Sequence, residues 1–495
     1  MMLNYESTRN SNIKSTASQA VLKGIADDSG LYVMRDLENK KIDIDKLQGK
    51  SYKEIAEIVI GLMLDDFSRE KIKECVYKAY TGKFSADEIA PVVKVGENYV
   101  AELFHGPTSA FKDVALSILP HLMTASYEMN DIKGEIIILT ATSGDTGKAA
   151  LEGFRDVRGT KIAVFYPDGG VSQVQKSQMV TQEGNNTYVC AIKGNFDDAQ
   201  TGVKKIFTDE DMIKILKGKN KVFSSANSIN IGRLVPQIVY YFNSYIKLVE
   251  SDAIKIGEKI NFSVPTGNFG NILAGYYAKL LGLPIKKLIC ASNENNVLYD
   301  FIKTGIYDRN REFYKTISPS MDILVSSNLE RLLYFISGKK NETVKNLMVE
   351  LNKQGKYEID ENMKKIIDAE FYAGYVDKED TKKVIKETYE KYGYLLDTHT
   401  AVAYKTLEDY KTETGDNTVS VVLSTASPFK FSHSVYEALY GSNDNPEFDI
   451  MKELSKRTGV KIPDNLQGLE NKKILHDKVC EINDMKDFVR TIAEQ

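Results

Sequence analysis

Short apolar runs alternate along the chain with longer amphipathic stretches. Six runs are rich in β-branched residues and end in turn residues, which is typical of buried strands. They lie at residues 135–141, 161–167, 187–194, 259–265, 285–292 and 418–425. A helical pattern follows each run, as in NILAGYYAKLLG after the fourth. This alternation predicts an α/β fold of βαβ units, with parallel-rich sheets covered by helices.

Glycine-containing turns follow two of these predicted strands. TSGDTGKAALEGF comes after residues 135–141, and TGNFGNILAGYY comes after residues 259–265. In both, a turn of small residues opens a helix, where free backbone N–H groups and the helix dipole favour an anion. Ligands of open α/β sheets bind beyond the carboxyl ends of the strands, so both turns are candidate anion sites. Taken alone, either turn is better explained as the closure of a βα unit.

The first turn also resembles part of the phosphate loop of NTPases. That loop needs an earlier glycine and a serine or threonine directly after its lysine. Thr142 and Ala149 occupy these two positions. A nucleotide-binding enzyme is therefore disfavoured.

A third polar cluster follows the stretch KVFSS. It places Asn227, Ser228 and Asn230 in a turn, and Arg233 one turn into the next helix. The guanidinium offers a fork of donors that suits a phosphate or a carboxylate. A lone arginine more often pairs with a surface carboxylate. This cluster therefore indicates an anion site only in combination with the two glycine-containing turns.

One lysine stands beside these clusters. In FHGPTSAFKDVAL, Lys112 lies between Phe111 and Asp113, where an apolar helical pattern begins. The chain has 65 lysines and arginines, of which nearly all are expected at the surface. A reactive amine next to several anion sites suits pyridoxal 5'-phosphate with an amino-acid substrate, because the aldehyde, the phosphate and the substrate carboxylate each find a partner.

Composition limits the function classes. With 495 residues, 42% of them hydrophobic, the chain is expected to form two or more domains. Its 65 basic and 69 acidic residues give a net charge of -4, so the composition shows no excess of positive charge that would indicate nucleic-acid binding. We expect a cytoplasmic protein without a membrane partner, a disulfide framework or a metal site, because no signal sequence, membrane-spanning run or ligand spacing is present. Residues 339–392, rich in lysine and glutamate, are predicted to form solvated helices.

Ordered motifs along the chain resemble those of a known family. They resemble the threonine synthase family in its longer bacterial and fungal branch, within the fold-type II, tryptophan synthase-like pyridoxal enzymes. The resemblance runs from about residue 5 to about residue 440. Its motifs are STRN, AVLKGIADDSGLYV, HGPTSAFKD, TATSGDTGKAA, SANSINIGRLVPQ, PTGNFGN, SPSMDILVSSNLERLL and LDTHTAVAY.

The resemblance implies a set of residues for pyridoxal 5'-phosphate. Lys112 matches the lysine that forms the Schiff base, and Phe111 flanks it. Thr425, in STASPFKF, matches the residue that presents a hydroxyl to the pyridine nitrogen, and Ser427 stands where relatives often have histidine. The cofactor phosphate is implied to bind Gly267, Asn268, Phe269, Gly270 and Asn271.

The resemblance also implies residues for the substrate, O-phospho-L-homoserine. Ser143, Gly144 and Thr146 match positions that hold the substrate carboxylate. Asp145 stands where related enzymes place an asparagine near the 3'-oxygen of the cofactor, and a carboxylate beside a phenolate is repelled unless one of them is protonated. The substrate phosphate is implied to contact Thr142, Asn227, Ser228 and Arg233.

The implied reaction is a β,γ-replacement that converts O-phospho-L-homoserine and water to L-threonine and phosphate. Two alternatives stay open. A pyridoxal-dependent lyase would release a 2-oxo acid and ammonia from a phosphorylated or hydroxy amino acid, whereas a non-catalytic binding protein would keep the fold without turnover. The arginine cluster argues against a substrate that lacks phosphate, and the intact Lys112 argues against the binding protein.

The implied architecture places the active site in a cleft between two domains. We expect an N-terminal segment at residues 1–95 and a C-terminal capping segment at residues 441–495. Between them we expect a smaller α/β domain at residues 96–220, with Lys112 and the carboxylate turn, and a larger one at residues 221–440, with the phosphate turn and Thr425. The expected assembly is a monomer or a small homo-oligomer.

Overall fold

The computed structural model describes residues 3–132, 134–142 and 144–495, except for the side chain of Asp197. Its strands are β1 (Tyr5–Ser7), β2 (Asn10–Ser15), β3 (Tyr32–Met34), β4 (Val92–Val95), β5 (Asn98–Glu102), β6 (Glu135–Ala141), β7 (Thr160–Pro167), β8 (Thr187–Ile192), β9 (Lys221–Ser224), β10 (Ile260–Pro265), β11 (Ile285–Ser292), β12 (Ile306–Asp308), β13 (Lys356–Glu358), β14 (Phe371–Tyr375), β15 (Ser420–Ser424) and β16 (Val479–Cys480).

The α-helices are α1 (Ala17–Lys23), α2 (Tyr52–Met63), α3 (Arg69–Tyr80), α4 (Lys112–Leu116), α5 (Leu119–Met129), α6 (Asp145–Phe154), α7 (Gln173–Val180), α8 (Phe196–Phe207), α9 (Glu210–Gly218), α10 (Ile231–Glu250), α11 (Gly270–Leu280), α12 (Val297–Thr304), α13 (Leu329–Ile336), α14 (Asn341–Gln354), α15 (Glu361–Glu370), α16 (Lys378–Tyr392), α17 (Thr398–Thr414), α18 (Ser432–Tyr440), α19 (Glu447–Thr458) and α20 (Met485–Glu494). Short 3-10 segments lie at Leu37–Asn39, Ile44–Leu47, Pro319–Met321, Pro428–Phe431, Leu469–Asn471 and Ile482–Asp484. In the described part of the chain, none of the helices has the length and apolar character needed to cross a membrane.

Two large sheets organise the molecule. The six-stranded sheet has the order β14-β11-β10-β15-β5-β4, and the five-stranded sheet has the order β16-β8-β7-β6-β9. Neighbouring strands in both sheets are parallel except β4 and β5. The six predicted strands are β6, β7, β8, β10, β11 and β15, each within two residues of its predicted bounds. The predicted α/β fold with parallel-rich sheets is confirmed.

Burial explains why these strands are almost continuously apolar. Every residue of β7, β10 and β15 is buried, as expected for parallel strands covered by helices. Helix α17 packs on β10, β11 and β15, while α6 and α8 pack on β7. The 20-residue helix α10 is itself buried along nearly its whole length and packs against α2, α4 and α11. It therefore forms a central support for the elements that carry the site.

The charged stretch at residues 339–392 contains two strands that its composition did not predict, the short β13, which pairs with β12, and the longer β14. Helices α14, α15 and α16 are present as expected, but β14 lies among them and forms the edge of the six-stranded sheet, next to β11. Phe371 and Ala373 are buried in β14, whereas Tyr375 is exposed. Two buried positions among many lysines and glutamates are too few to give a strand pattern.

The last part of the chain completes the five-stranded sheet. Strand β16 pairs in parallel with β8, where Cys480 lies opposite Ile192. Helix α20 buries Val489 and Ile492 in the same apolar cluster as Phe165 of β7. The end of the chain is thus packed against the strands that precede α6 and α7.

Candidate active site

Lys112 is the first residue of α4 and lies beside the loop that follows β15. Phe111 donates its backbone N–H to the carbonyl oxygen of Thr425 at 2.8 Å, and Ser427 donates its backbone N–H to the carbonyl oxygen of Ser109 at 3.1 Å. These bonds hold the loop before α4 against the loop after β15. The structure therefore brings Phe111, Lys112 and Thr425 together, although more than 300 residues separate them in the sequence.

The amine of Lys112 lies inside the protein, with only 12% of the side chain exposed. Its Nζ donates to Ser320 Oγ at 3.2 Å and lies 3.6 Å from Asp145 Oδ2. Burial lowers the pKa of Lys112 below its ordinary value, although the charge of Asp145 opposes this shift. Lys112 is therefore not a solvated surface cation, and a lowered pKa is what a nucleophilic amine requires.

Asp145 is buried at the N-terminus of α6 and has a second cation beside it. Lys430 Nζ lies 2.8 Å from Asp145 Oδ1, and Gln175 Nε2 donates to the same oxygen at 2.9 Å. Lys430 also donates to the carbonyl oxygen of Thr108 at 2.9 Å. Burial alone raises the pKa of Asp145, but the charges of Lys430 and Lys112 lower it well below its ordinary range. Asp145 is thus a carboxylate that has its own counter-ion.

The first glycine turn, between β6 and α6, is held from within. The hydroxyl of Thr142 accepts two backbone N–H groups of the turn, each at 2.9 Å. Gly144 has a φ of 139°, and a Cβ at this position would lie 2.4 Å from the side chain of Gln175, so glycine is required. Thr146 is half-buried in the first turn of α6. Ser143, the other predicted carboxylate ligand, lies outside the described residues.

The second glycine turn, between β10 and α11, lies against the 3-10 segment Pro319–Met321. A Cβ on Gly267 would come within 2.9 Å of the carbonyl oxygen of Ser320. Ser320 therefore touches both this turn and the lysine amine. Phe269 adopts a φ of 61°, and Gly270 opens α11. Asn271 is buried, its Oδ1 accepts a tyrosine hydroxyl at 2.6 Å, and its Nδ2 has no partner among the described residues.

Asn268 of the same turn is held from behind by a buried polar network. Its carbonyl oxygen accepts the backbone N–H and the Nδ2 of Asn328, each at 3.1 Å. Arg331 donates to Asn328 Oδ1 at 2.6 Å, to the carbonyl oxygen of Ile229 at 2.6 Å and to that of Tyr32 at 2.9 Å. Arg331 therefore links the second glycine turn to the turn before α10 and to β3.

Arg233 lies in the first turn of α10 and is only 3% exposed. Its Nη1 donates to the carbonyl oxygen of Ala226 at 2.8 Å, while its Nε has no partner among the described residues. Burial lowers the pKa of Arg233 to about 10, and no carboxylate in the described part of the chain offsets that burial. A surface ion pair is thereby ruled out. Asn227 and Ser228 are half-buried in the turn before α10.

The sequence prediction missed residues that fix the position of Ser320, the hydrogen-bond partner of Lys112. His399 Nε2 accepts the backbone N–H of Ser320 at 3.1 Å. The other ring nitrogen, Nδ1, therefore carries the proton and donates to Asp397 Oδ1 at 3.0 Å. Asp397 and His399 thus fix the segment that presents the Ser320 hydroxyl to Lys112.

Weak signals for these missed residues exist in the sequence. Ser320 and His399 lie in the motifs SPSMD and LDTHTAVAY, which carry the family resemblance without an assigned role. Lys430 lies between Phe429 and Phe431, and a lysine between two large apolar residues is a candidate for burial. Gln175 gives no such signal, because its contact with Asp145 depends entirely on how α7 packs against α6.

Three family models match the chain. The model described as "Threonine synthase N terminus" matches residues 4–80, and "Pyridoxal-phosphate dependent enzyme" matches residues 86–425. "Threonine synthase, C-terminal" matches residues 400–489. Together they cover the N-terminal segment, both glycine turns and the end of the chain.

Similar proteins include a threonine synthase of Saccharomyces cerevisiae, which is 36% identical over 487 residues, with 92% of each chain covered. Threonine synthase-like 1 of Homo sapiens is 39% identical over 436 residues, which cover 85% of this chain but 58% of the human protein. The chain thus spans little more than half the length of that relative. A solved structure of pyridoxal-phosphate-bound threonine synthase from Brucella melitensis has a TM-score of 0.88 and 35% identity, and covers 99% of both chains. This chain belongs to the threonine synthase family of pyridoxal-phosphate dependent enzymes.

Proposed function

We propose that the protein is a threonine synthase, which converts O-phospho-L-homoserine and water to L-threonine and phosphate with the aid of pyridoxal 5'-phosphate. The observation that carries this proposal is Arg233. A guanidinium buried without a counter-charge is costly unless an anion binds to it, and this one lies near enough to Lys112 to affect the pKa of its amine. A substrate with a phosphate group supplies the missing anion.

The residues around Lys112 fit the cofactor. Gly267 packs closely against the backbone of Ser320, and Gly270 opens α11, whose N-terminal N–H groups favour a phosphate. The orphaned Nδ2 of Asn271 adds a donor at the start of α11. We assign the cofactor phosphate to this turn, from Gly267 to Asn271, the ring nitrogen to the hydroxyl of Thr425, and the aldehyde to Lys112. Bound there, the cofactor supplies an electron sink for negative charge at the substrate Cα.

The proposed substrate is held at both of its anionic ends. We assign its carboxylate to Ser143, Gly144 and Thr146 at the N-terminus of α6, because helix N-termini favour anions. Its phosphate is assigned to Arg233 of α10, with the remaining contacts made by Asn227 and Ser228. The hydroxyl of Thr142, expected to join them, already donates to the carbonyl oxygen of Gly144 and accepts two backbone N–H groups. Two helices with separate anion sites would fix the carbon chain between them, which favours a substrate that is negative at both ends.

Lys112 moves the protons in this proposal. Its amine removes a proton from Cα and then one from Cβ, after which phosphate leaves Cγ. A proton delivered to Cγ, water added at Cβ with loss of its second proton, and a proton returned to Cα complete the replacement. The hydroxyl of Ser320 orients the amine through the 3.2 Å contact with Nζ.

Incubation of the cofactor-loaded protein with O-phospho-L-homoserine tests the proposal. Equal amounts of phosphate and L-threonine are expected, measured together in the same reaction. L-homoserine, which lacks the phosphate, is the matched control and should give no threonine. Phosphate released together with 2-oxobutyrate and ammonia would make the protein a lyase, and cofactor binding without any product would make it a binding protein.

Three further expectations belong to this proposal. They are a cytoplasmic location, a monomeric or small homo-oligomeric state, and the three boundaries between the four predicted segments. The cysteines at positions 75, 190, 290 and 480 are free thiols in the structure, which suits a reducing compartment. Cell fractionation, light scattering after size exclusion and limited proteolysis test the three expectations in that order.

A further inference from the structure

Two lysines share one carboxylate at the centre of the site. Asp145 Oδ2 lies 3.6 Å from Lys112 Nζ, and Asp145 Oδ1 lies 2.8 Å from Lys430 Nζ. One carboxylate neutralises a single positive charge, so a proton on both amines would leave an unbalanced charge in a buried place. The surroundings of each lysine decide which amine keeps its proton.

Lys430 is the better placed of the two to remain an ammonium ion. Its side chain is 0% exposed, and its Nζ donates to the carbonyl oxygen of Thr108 in addition to the ion pair with Asp145. The carboxyl group of Asp113 accepts the backbone N–H and the hydroxyl of Thr108 and lies near enough for the charge of Lys430 to act on it. Burial raises the pKa of Asp113 to about 6, and the charge of Lys430 opposes that rise. The Nζ of Lys430 thus has a carboxylate and a carbonyl oxygen as direct partners.

Lys112 lies among groups that disfavour a proton. Its hydrogen-bond partner is the neutral hydroxyl of Ser320, which itself lies 3.4 Å from Asp145 Oδ2. The charges of Lys430 and Arg233 both act against protonation of Lys112, and only Asp145 acts in favour of it. His399 meets the backbone of Ser320 as a neutral ring, so it adds no charge that would reverse this balance.

We propose that Lys430 is a positioning residue, which holds Asp145 as its own ion-pair partner and thereby leaves the amine of Lys112 unprotonated. With its lone pair free, the amine of Lys112 would hold the cofactor through its aldehyde carbon, and the two amine protons would leave with the aldehyde oxygen as water. The inference rests on the cofactor assignment of the proposed function. It also resolves the repulsion expected between Asp145 and the 3'-oxygen of the cofactor, because the pair of Asp145 and Lys430 is neutral as a whole.

The pH dependence of cofactor attachment tests the proposal. The full chain, freed of cofactor with hydroxylamine, is mixed with pyridoxal 5'-phosphate over a range of pH. Attachment is then trapped with borohydride and quantified by mass spectrometry of the peptide that contains Lys112. In Lys430→Met, Asp145 has only Lys112 to pair with, so the midpoint of attachment should rise by about 1 to 3 pH units. Lys430→Arg keeps the charge and should retain a midpoint near that of the wild type.

Asp145→Asn gives the opposite expectation from the same geometry. It keeps both lysines and removes the carboxylate that they share, so Lys112 is left with neighbouring cations and its midpoint should fall. This variant decides the question if circular dichroism shows that Lys430→Met does not fold. A midpoint that does not fall in Asp145→Asn, or one that stays unchanged in folded Lys430→Met, overturns the proposal.

The attachment assay does not depend on turnover, so the two proposals fail separately. The expected shifts in a protein that makes no threonine would support the role of Lys430 and refute the threonine synthase activity. Unchanged midpoints in a protein that makes threonine would refute the role of Lys430 alone.

Discussion

The buried charges of the site are unbalanced at the scale of single residues. Three basic side chains lie inside the protein, those of Lys112, Arg233 and Lys430. Among the described residues, Asp145 is the only ion-pair partner of the two lysines, and no carboxylate offsets the burial of Arg233. Charges interact strongly in a buried site and are screened little by salt. With Lys430 paired to Asp145 and the amine of Lys112 proposed to be uncharged, Arg233 keeps a positive charge without a partner, which suits the site to an anion such as the phosphate of the proposed substrate.

Replacement of Lys112 by alanine should lower kcat for threonine formation by about 10⁴-fold or more, because the amine is proposed to act at several successive proton transfers. Lys430 cannot substitute for it, since its Nζ is held by Asp145 and Thr108. Threonine release in a coupled assay measures the effect. The exposed Lys94 provides the control variant, Lys94→Ala. Turnover above a trace in Lys112→Ala would refute the assignment.

Arg233→Ala should raise KM for O-phospho-L-homoserine by about 10- to 100-fold, the effect of losing a hydrogen bond to a charged group. Affinity for pyridoxal 5'-phosphate should change little, because the cofactor phosphate is assigned to the other glycine turn. Initial rates and a cofactor titration monitored by absorbance separate the two effects. Arg158→Ala at an exposed position is the control. An unchanged KM in Arg233→Ala would place the substrate phosphate elsewhere.

The candidate site could be predicted from sequence where neighbouring residues form it, and not where distant ones do. Lys112 and the two glycine turns are contiguous segments whose composition indicates their chemistry. Ser320 and Lys430 act only through contacts with residues far away in the chain, at separations of 208 and 285 residues from Lys112 and Asp145 respectively. No local pattern encodes such a contact.

At the scale of elements, helix α5 carries a partly buried histidine that should make stability depend on pH. Burial lowers the pKa of His121 to about 4, whereas an unfolded chain protonates histidine near pH ~6.5. The neutral imidazole of His121 therefore contributes fully to the free energy of unfolding above the pKa of the unfolded chain. This contribution is lost as the pH falls towards the lower pKa of the folded protein. Between pH 7 and pH 5 the wild type should lose about 2 kcal/mol more than His121→Leu.

Urea unfolding of both proteins at the two pH values measures this difference. His433→Leu, at an exposed position, controls for the removal of a histidine as such. Equal losses of stability in wild type and His121→Leu would show that the imidazole is not shielded from water in the folded protein.

Helix α20 offers a test of how the end of the chain contributes to the five-stranded sheet. Val489→Asp places a carboxylate in an apolar cluster and should cost about 3 kcal/mol or more. Thr491→Asp, two residues later at an exposed position of the same helix, should cost little. Urea unfolding gives the free energies, and hydrogen exchange in β8 locates the effect. Similar costs for both variants would mean that α20 does not pack on the sheet.

Elements differ in how clearly the sequence predicts them. Strands β6, β7 and β10 are buried along nearly all of their length, so their sequences are apolar runs that predict buried strands. Strand β2 is mostly exposed and reads NSNIKS, and β14 has only two buried residues. These two strands form because a neighbouring strand supplies their hydrogen bonds. Such pairing cannot be inferred from the residues of the strand itself.

At the scale of the whole molecule, the site joins elements that are otherwise separate. Residues from α4, α6, α10, the turn before α11 and the loop after β15 meet within it. A ligand that bridges them should stabilise the entire fold, by about 2.7 kcal/mol when free pyridoxal 5'-phosphate is at 100 times its Kd. Thermal unfolding with and without the cofactor measures this gain. Lys112→Ala should show a much smaller shift, and a shift reproduced by inorganic phosphate alone would contradict the assignment of the aldehyde.

The pairing of β5 with β15 has a consequence for the protein as it is made. Strand β5 ends at Glu102, whereas its parallel partner begins at Ser420. At the usual pace of a ribosome, on the order of tens of seconds pass between the emergence of the two. During that interval Lys112, which is proposed to react with the cofactor aldehyde, lacks the loop after β15 that packs beside it in the finished fold. The nascent chain should therefore bind pyridoxal 5'-phosphate only after translation is nearly complete.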